Sequence, residues 1–81
     1  MQDTKARIKW HSRRGMLELD LILGRFVNQY LDTLTAVQLA EYEYLLTQND
    51  PDLYTWLMGY ETPTDAACVA IVNFIRLHDK P

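Results

Sequence analysis

The sequence predicts an all-α fold, a compact five-helix bundle that forms a single domain over residues 1–81. Its apolar residues recur at three- and four-residue spacing, and nowhere does strict alternation persist long enough for a strand. Cap signals divide the chain into five segments. Its 81 residues fall below the usual domain length of roughly 100–200, so the chain is one domain. With 48% hydrophobic and 23% charged residues, it is too apolar for an intrinsically disordered chain.

The first two predicted helices are joined by a glycine. Thr4 is the predicted N-cap of a short helix over about residues 5–12, which carries few apolar side chains. Gly15 follows, at a position where a tight turn needs a residue without Cβ. The second helix covers about residues 16–31 and has the most regular apolar spacing in the chain. Its periodic apolar residues are Leu19, Ile22, Leu23, Phe26, Val27 and Tyr30.

Three more helices are predicted from their start signals. Thr35 with Gln38 forms a capping box that opens the third helix. Asp50 and Pro51 are the predicted N-cap and first residue of a short fourth helix, which a glycine ends. Residues 62–65 repeat the cap-plus-proline signal ahead of a strongly apolar fifth helix. The aromatic residues near the fourth helix are predicted to be core rather than a second contact surface; they are Tyr54, Trp56 and Tyr60.

Charge is distributed unevenly along the chain. The net charge is −3, but residues 1–14 hold five basic and one acidic side chain, and residues 15–81 hold three basic and ten acidic ones. A basic end can steer an acidic partner, bind phosphate, or only solvate a helix end. No helix-turn-helix, RNP or zinc-finger spacing accompanies the basic residues, so a small nucleic-acid binder is the less favoured function.

The residue types needed for catalysis are sparse. The only cysteine and histidines are scattered without metal-ligand spacing, so we expect no metal site. The three glycines are too far apart for a phosphate-binding loop, and no two acidic residues fall in an apolar pocket. Cys68 is predicted to be a small buried hydrophobe, and His78 to lie at a helix C-terminus. We therefore expect no enzymatic activity from this chain alone.

The cellular location is predicted from cysteine usage and hydropathy. A single cysteine cannot form an internal disulfide, which favours a reducing compartment. No run of about 18 apolar residues is present, and the first residues are polar, so neither membrane insertion nor a signal peptide is expected. The expected location is the cytoplasm.

Residues 9–20 concentrate tryptophan, arginine and acidic side chains around the predicted turn. These are types favoured at binding hot spots. A structural interpretation is also open, in which Arg14 and Glu18 form a surface ion pair at four-residue spacing and Gly15 is an ordinary helix cap. Composition alone favours the structural interpretation slightly over the functional one.

Two motifs in this chain resemble those of the SdhE-type FAD assembly factors, bacterial relatives of mitochondrial succinate dehydrogenase assembly factor 2. Arg14, Gly15 and Glu18 match the family's RGxxE signature, within the run ARIKWHSRRGMLELD of residues 6–20. Residues 50–58, DPDLYTWLM, are similar to a D-P-D-L stretch found later in that family. The length, the number of helices and the motif order agree across nearly the whole chain.

This resemblance implies an assembly factor rather than an enzyme. Family members bind the flavoprotein subunit of succinate dehydrogenase, and in some bacteria that of fumarate reductase, and promote covalent attachment of FAD to one of its histidines. The partner would carry the FAD, so no tightly bound cofactor is expected here. An alternative is an antitoxin-like regulatory protein, since members of the family are also described as half of a toxin–antitoxin pair. The implied partner-binding residues are Lys9, Trp10, His11, Arg13, Arg14, Gly15 and Glu18.

The resemblance also suggests a task for each signature residue. We expect Gly15 to let the backbone approach the partner closely. Arg14 is expected to engage a carboxylate or carbonyl group on the partner. Glu18 is expected to orient either Arg14 or a partner group near the flavin.

Overall fold

Five α-helices and one 3-10 turn make up the computed structural model, which describes residues 2–79, excepting the side chains of residues 2–4. The described residues contain no strand, so the predicted all-α fold of five helices is confirmed. Each of these helices is too short or too polar to span a membrane. In chain order the elements are α1 (Gln2–His11), α2 (Leu17–Tyr30), the 3-10 turn (Leu31–Thr33), α3 (Ala36–Leu45), α4 (Asp50–Leu57) and α5 (Ala66–His78).

All five helices contribute to one hydrophobic core. The regular apolar spacing of α2 places its inward face in this core, as predicted, and Tyr30 packs half-buried against Phe26. Burying each large aliphatic side chain contributes roughly 1.5–3 kcal/mol, so these contacts are the main favourable term in folding. Among the α1 residues whose side chains are described, from Lys5 to His11, Ile8 is the one in the core, so their contribution is small. The most deeply buried of the described residues are Ile8, Leu19, Leu23, Tyr42, Leu45, Leu53, Cys68, Ile71 and Ile75.

Local capping signals account for most helix starts. The capping box that opens α3 is confirmed: Gln38 N donates to Thr35 Oγ1 over 3.1 Å, and Thr35 N donates to Gln38 Oε1 over 3.0 Å. A helix follows residues 62–65 as predicted, but the cap-plus-proline form of that signal was wrong, because Asp65 is the N-cap of α5 and Pro63 lies ahead of the helix. The prediction for α1 was wrong by three residues, because the helix begins at Gln2 and Thr4 lies inside it.

The start of α4 differs from the prediction in a way that matters for the site. Asn49, not Asp50, is the N-cap, and its side-chain oxygen accepts from Asp52 N over 3.0 Å. Asp50 and Pro51 are the first two helical residues. Either Asn or Asp makes a good N-cap, so the sequence did not separate the two neighbours. The carboxylate of Asp50 is therefore available for a different contact.

The residues after α4 include one incorrect core prediction. Tyr54 and Trp56 are half-buried and pack against the core, as predicted. Gly59 has a φ of +81°, which ends the helix in the expected way, but the Tyr60 side chain that follows is 69% exposed. Tyr60 therefore lies on the surface, with its ring edge-on to Tyr54. Cys68 is buried in α5, as predicted.

A buried pair of hydroxyl groups joins the end of α1 to α3. Ser12 Oγ donates to the carbonyl of Ile8 over 2.7 Å and lies 2.7 Å from the hydroxyl of Tyr42. Burial raises the pKa of Tyr42 to about 12, although Ser12 and the positive charge of Arg14 act in the opposite direction. The phenol therefore stays protonated in the folded protein under conditions that ionise an exposed tyrosine.

The raised pKa of Tyr42 predicts a loss of stability in alkali. An unfolded tyrosine has a pKa near 10, so above that pH the folded chain retains a proton that the unfolded chain has lost. This contribution is complete below about pH 10 and is lost as the pH rises towards about 12, and the loss reaches roughly 1.4 kcal/mol near pH 11. We therefore expect the free energy of unfolding, measured with urea, to fall less between about pH 9 and pH 11 for Tyr42→Phe than for the unmodified chain. If both proteins lose the same free energy of unfolding, the raised pKa of Tyr42 is refuted.

Candidate functional site

The predicted glycine turn between the first two helices is present. We call residues 12–16 the signature turn; α1 ends just before it and α2 begins just after it. Gly15 has a φ of +84°, a left-handed conformation that glycine adopts without steric cost. A Cβ atom at this position would meet no described atom within 4 Å, its chain neighbours aside. Gly15 is thus required by the backbone, while the space in front of it is open.

The guanidinium group of Arg14 points inward, and its side chain is only 16% exposed. Its Nε donates to Asp50 Oδ1 over 2.8 Å. Nη1 donates to the carbonyl oxygens of His11, over 2.8 Å, and Leu46, over 3.0 Å. Nη2 donates to the carbonyl of Gln48 over 3.0 Å. One side chain therefore links the end of α1 to the α3–α4 loop and to the first turn of α4.

The backbone of the same residue makes a further link. Arg14 N donates to Asp20 Oδ1 over 2.7 Å, and Asp20 lies in the first turn of α2. Arg14 thereby connects three segments: the end of α1, the start of α2 and the start of α4. We refer to Arg14, Asp50 and the three carbonyls of His11, Leu46 and Gln48 as the arginine anchor.

The alternative interpretation of Arg14 and Glu18 as a surface ion pair is wrong. Arg14 is paired with Asp50, and in the described part of the chain the salt bridges do not include one to Glu18. The left-handed Gly15 breaks the helix between the two residues, so their four-residue spacing does not place them on one helix face. Glu18 does not orient Arg14 in this structure; its side chain is exposed on α2.

The other residues predicted to bind a partner are on the surface. Trp10 is 72% exposed near the end of α1, and Leu17 is 69% exposed at the start of α2. Large exposed apolar side chains of this kind beside charged ones are typical of interaction surfaces. The structure brings the predicted residues together at the α1–α2 junction, with only Arg14 turned inward. The exposed members of the predicted set are Lys9, Trp10, His11, Arg13, Gly15 and Glu18.

Sequence reasoning missed the role of Asp50, which was assigned to a helix cap, and it placed Tyr60 in the core although Tyr60 is exposed. Tyr54, predicted to be core, is half-buried, and the neighbouring Tyr60, burial and, to a smaller extent, the negative charge of Glu18 raise its pKa. The D-P-D-L motif was the available signal, because it contains Asp50 and precedes Tyr54 directly.

The described residues offer little for holding a metal or cofactor. No group of three or more His, Cys, Asp or Glu side chains that could hold a metal is found among them. One surface cavity, of about 490 Å³, falls within the roughly 300–1,000 Å³ of typical small-molecule sites, but it is lined by Lys5, Ala6, Lys9 and Asp32 and not by the apolar side chains that such sites favour. Another, of about 200 Å³, lies between α1 and α3. Its lining residues are Arg7, Ile8, His11, Glu43, Leu46 and Thr47.

Comparison with known proteins agrees with the motif resemblance. Residues 6–79 match a family model described as flavinator of succinate dehydrogenase. The FAD assembly factor SdhE of Legionella pneumophila (strain Lens) is 53% identical over 72 residues, which cover 89% of this chain and 90% of the relative. The FAD assembly factor SdhE of Photobacterium profundum is 44% identical over 77 residues, covering 95% of this chain and 88% of the relative.

A solved structure supports the fold. The solution structure of a UPF0350 protein superposes with a TM-score of 0.78 at 40% identity, covering 96% of this chain and 83% of the other. The signature turn, the later D-P-D-L motif and the five helices thus occur in a chain whose sequence and fold both match known members. The chain belongs to the Sdh5 family of succinate dehydrogenase flavinators, whose curated members are named FAD assembly factors.

Proposed function

We propose that this chain promotes covalent attachment of FAD to the flavoprotein subunit of succinate dehydrogenase by docking on that subunit through the surface around Gly15. The observation that carries the proposal is the open space in front of Gly15, in a chain of this family whose Trp10 and Glu18 side chains are exposed on the two helices that the turn joins. The relatives named FAD assembly factors support the activity. The chain itself makes and breaks no bond in this proposal.

Holding the reacting groups in position is sufficient to promote flavin attachment. Attaching a flavin to a histidine of its own protein requires the ring system and the imidazole to be held in a reactive geometry. Well-oriented reactants avoid an entropic barrier that can amount to roughly 7–11 kcal/mol. A small rigid bundle achieves this when it binds the reactive conformation of its client more tightly than other conformations.

The exposed surface has the composition that docking requires. Trp10 and Leu17 provide apolar area, and tryptophan is among the residues enriched at energetic hot spots. Lys9 and Arg13 add positive charge on the α1 side, whereas Glu18 adds negative charge on the α2 side. Because Asp50 already pairs with Arg14, the Glu18 carboxylate is available to a group of the client.

The client carries the FAD in this proposal, and the chain holds none tightly. The flavoprotein subunit of fumarate reductase is proposed as a second client, because its FAD attachment poses the same positioning problem. Neither role requires nucleic acid or membrane insertion, and both place the chain in the cytoplasm with its clients.

Substitution of Gly15 tests the docking surface. Gly15→Ala and Gly15→Arg impose the same strain on a left-handed backbone, of order 1 kcal/mol, but only arginine fills the open space in front of the turn. We expect Gly15→Arg to abolish most of the covalent flavin attachment and Gly15→Ala to retain most of it. The measurement is in-gel fluorescence of the flavoprotein subunit under denaturing conditions after co-expression with each variant.

Both variants must be shown to be folded by circular dichroism, since the comparison depends on an intact bundle. If Gly15→Arg supports as much attachment as Gly15→Ala, the client does not approach this turn. If the unmodified chain gives no more covalent flavin than its absence does, the proposed activity itself is wrong.

Trp10 provides a second test with a matched control. Truncating an exposed tryptophan costs little in the free protein, but at the centre of an interface it costs about 2 kcal/mol or more of binding free energy. We therefore expect Trp10→Ala to weaken client binding at least about tenfold in a titration calorimetry experiment. Leu77→Ala on α5, where the parent side chain is 68% exposed, should leave affinity unchanged. Equal affinities for the two variants would exclude Trp10 from the interface.

A further inference from the structure

The two family motifs meet at one contact. Arg14 belongs to the signature and Asp50 to the D-P-D-L stretch, 36 residues later, and Arg14 Nε lies 2.8 Å from Asp50 Oδ1. The side chains are 16% and 34% exposed, so this pair is less solvated than the surface pairs of α1. Neither the capping of α4 nor the core explains why an aspartate occupies position 50, since Asn49 caps the helix.

The arginine anchor fixes the backbone immediately before Gly15. Arg14 donates through Nε to a carboxylate and through both terminal nitrogens to three carbonyl oxygens. Its own backbone N–H donates to Asp20. The conformation of the signature turn therefore depends on contacts with the α3–α4 loop and with α4, in addition to contacts with α1 and α2, the two helices that the turn joins.

Turning Arg14 towards a client would require breaking this anchor. Its guanidinium has five N–H groups, and four hydrogen bonds from the side chain are made within the chain. Turning Arg14 outward would leave Asp50 and three carbonyl oxygens without these donors. Unsatisfied polar groups that are partly removed from water are costly, which favours the inward arrangement also in the complex.

We propose that Asp50 is a positioning residue for client docking, which acts through Arg14 to hold the Gly15 turn in the conformation that the client binds. Neither the Asp50 nor the Arg14 side chain touches the client. The inference rests on the proposed function, because it assigns a role within the same docking surface. It also gives the D-P-D-L motif a task that the docking surface alone does not require.

A double-mutant cycle tests this assignment. We would titrate the flavoprotein subunit with Asp50→Ala, Arg14→Ala and the double variant and follow covalent flavin attachment over time. We expect each single change to raise about tenfold the concentration of this chain that gives half-maximal flavin attachment. The maximal rate of attachment at saturating concentration should be unchanged. The double variant should be no worse than Arg14→Ala, because both changes remove one unit. Multiplied effects in the double variant, or a reduced maximal rate with Arg14→Ala, would overturn the proposal.

Asp52→Ala is the matched control. It removes the same charge from the first turn of the same helix, but Asp52 contributes to the cap through its backbone N–H and not to the arginine anchor. We expect its half-saturating concentration to match that of the unmodified chain. If Asp52→Ala weakens docking as much as Asp50→Ala does, helix charge and not the anchor is responsible, and the assignment fails.

A second measurement separates positioning from general stability and from the proposed function. In the free chain, far below its unfolding temperature, exchange of the Arg13 and Arg14 amide hydrogens, which donate to Trp10 O and Asp20 Oδ1, should be faster in Asp50→Ala than in Asp52→Ala, while exchange at core residues of α5 stays equal. Unchanged exchange at the turn refutes the anchor whatever the client does. If the turn is loosened but the unmodified chain does not promote flavin attachment, the proposed function has failed while the anchor stands as a structural fact.

Discussion

The arrangement of the candidate site depends on the hydrogen bonds that the inward-pointing Arg14 side chain makes. Of the α1 side chains from Lys5 onward, Ile8 alone lies in the hydrophobic core, so the C-terminal end of this helix needs other contacts to stay in place. The buried Ser12–Tyr42 hydroxyl pair provides one, and the arginine anchor provides several more. A planar guanidinium that donates in several directions suits a point where three segments meet, whereas a lysine ammonium would not span the same acceptors.

Rigidity at this point has a direct consequence for binding. Association is opposed by the entropy of ordering side chains and loops at the interface, so a turn that is already ordered binds more tightly for the same contact area. The signature turn contains a left-handed glycine and lies between two helices, which would make it a mobile connection without tertiary contacts. Because Arg14 and Asp20 hold its flanks, the exposed Trp10 and Leu17 sit on an ordered support.

Local signals in the sequence predicted the local features of the fold, and they failed where tertiary contacts decide. The spacing of α2 predicted its buried face, and the capping box at Thr35 depends on residues three positions apart. The partner of Arg14 could not be predicted in this way, because Asp50 is remote in sequence and Glu18 offered a plausible local alternative. Tyr60 was misplaced for a related reason: aromatic content favours burial, but the left-handed Gly59 turns the chain outward before it.

The three fixed positions of the signature therefore perform different physical tasks, although they lie within five consecutive residues. Arg14 acts inward as a structural donor, Gly15 allows a backbone conformation and leaves space in front of it, and Glu18 presents a carboxylate to the outside. A motif of this kind describes a turn together with its support rather than a row of contact residues. That difference explains why the second motif belongs with the first: without a carboxylate at position 50, the arginine would lack its charged partner, and the geometry at Gly15 would depend on backbone carbonyls alone.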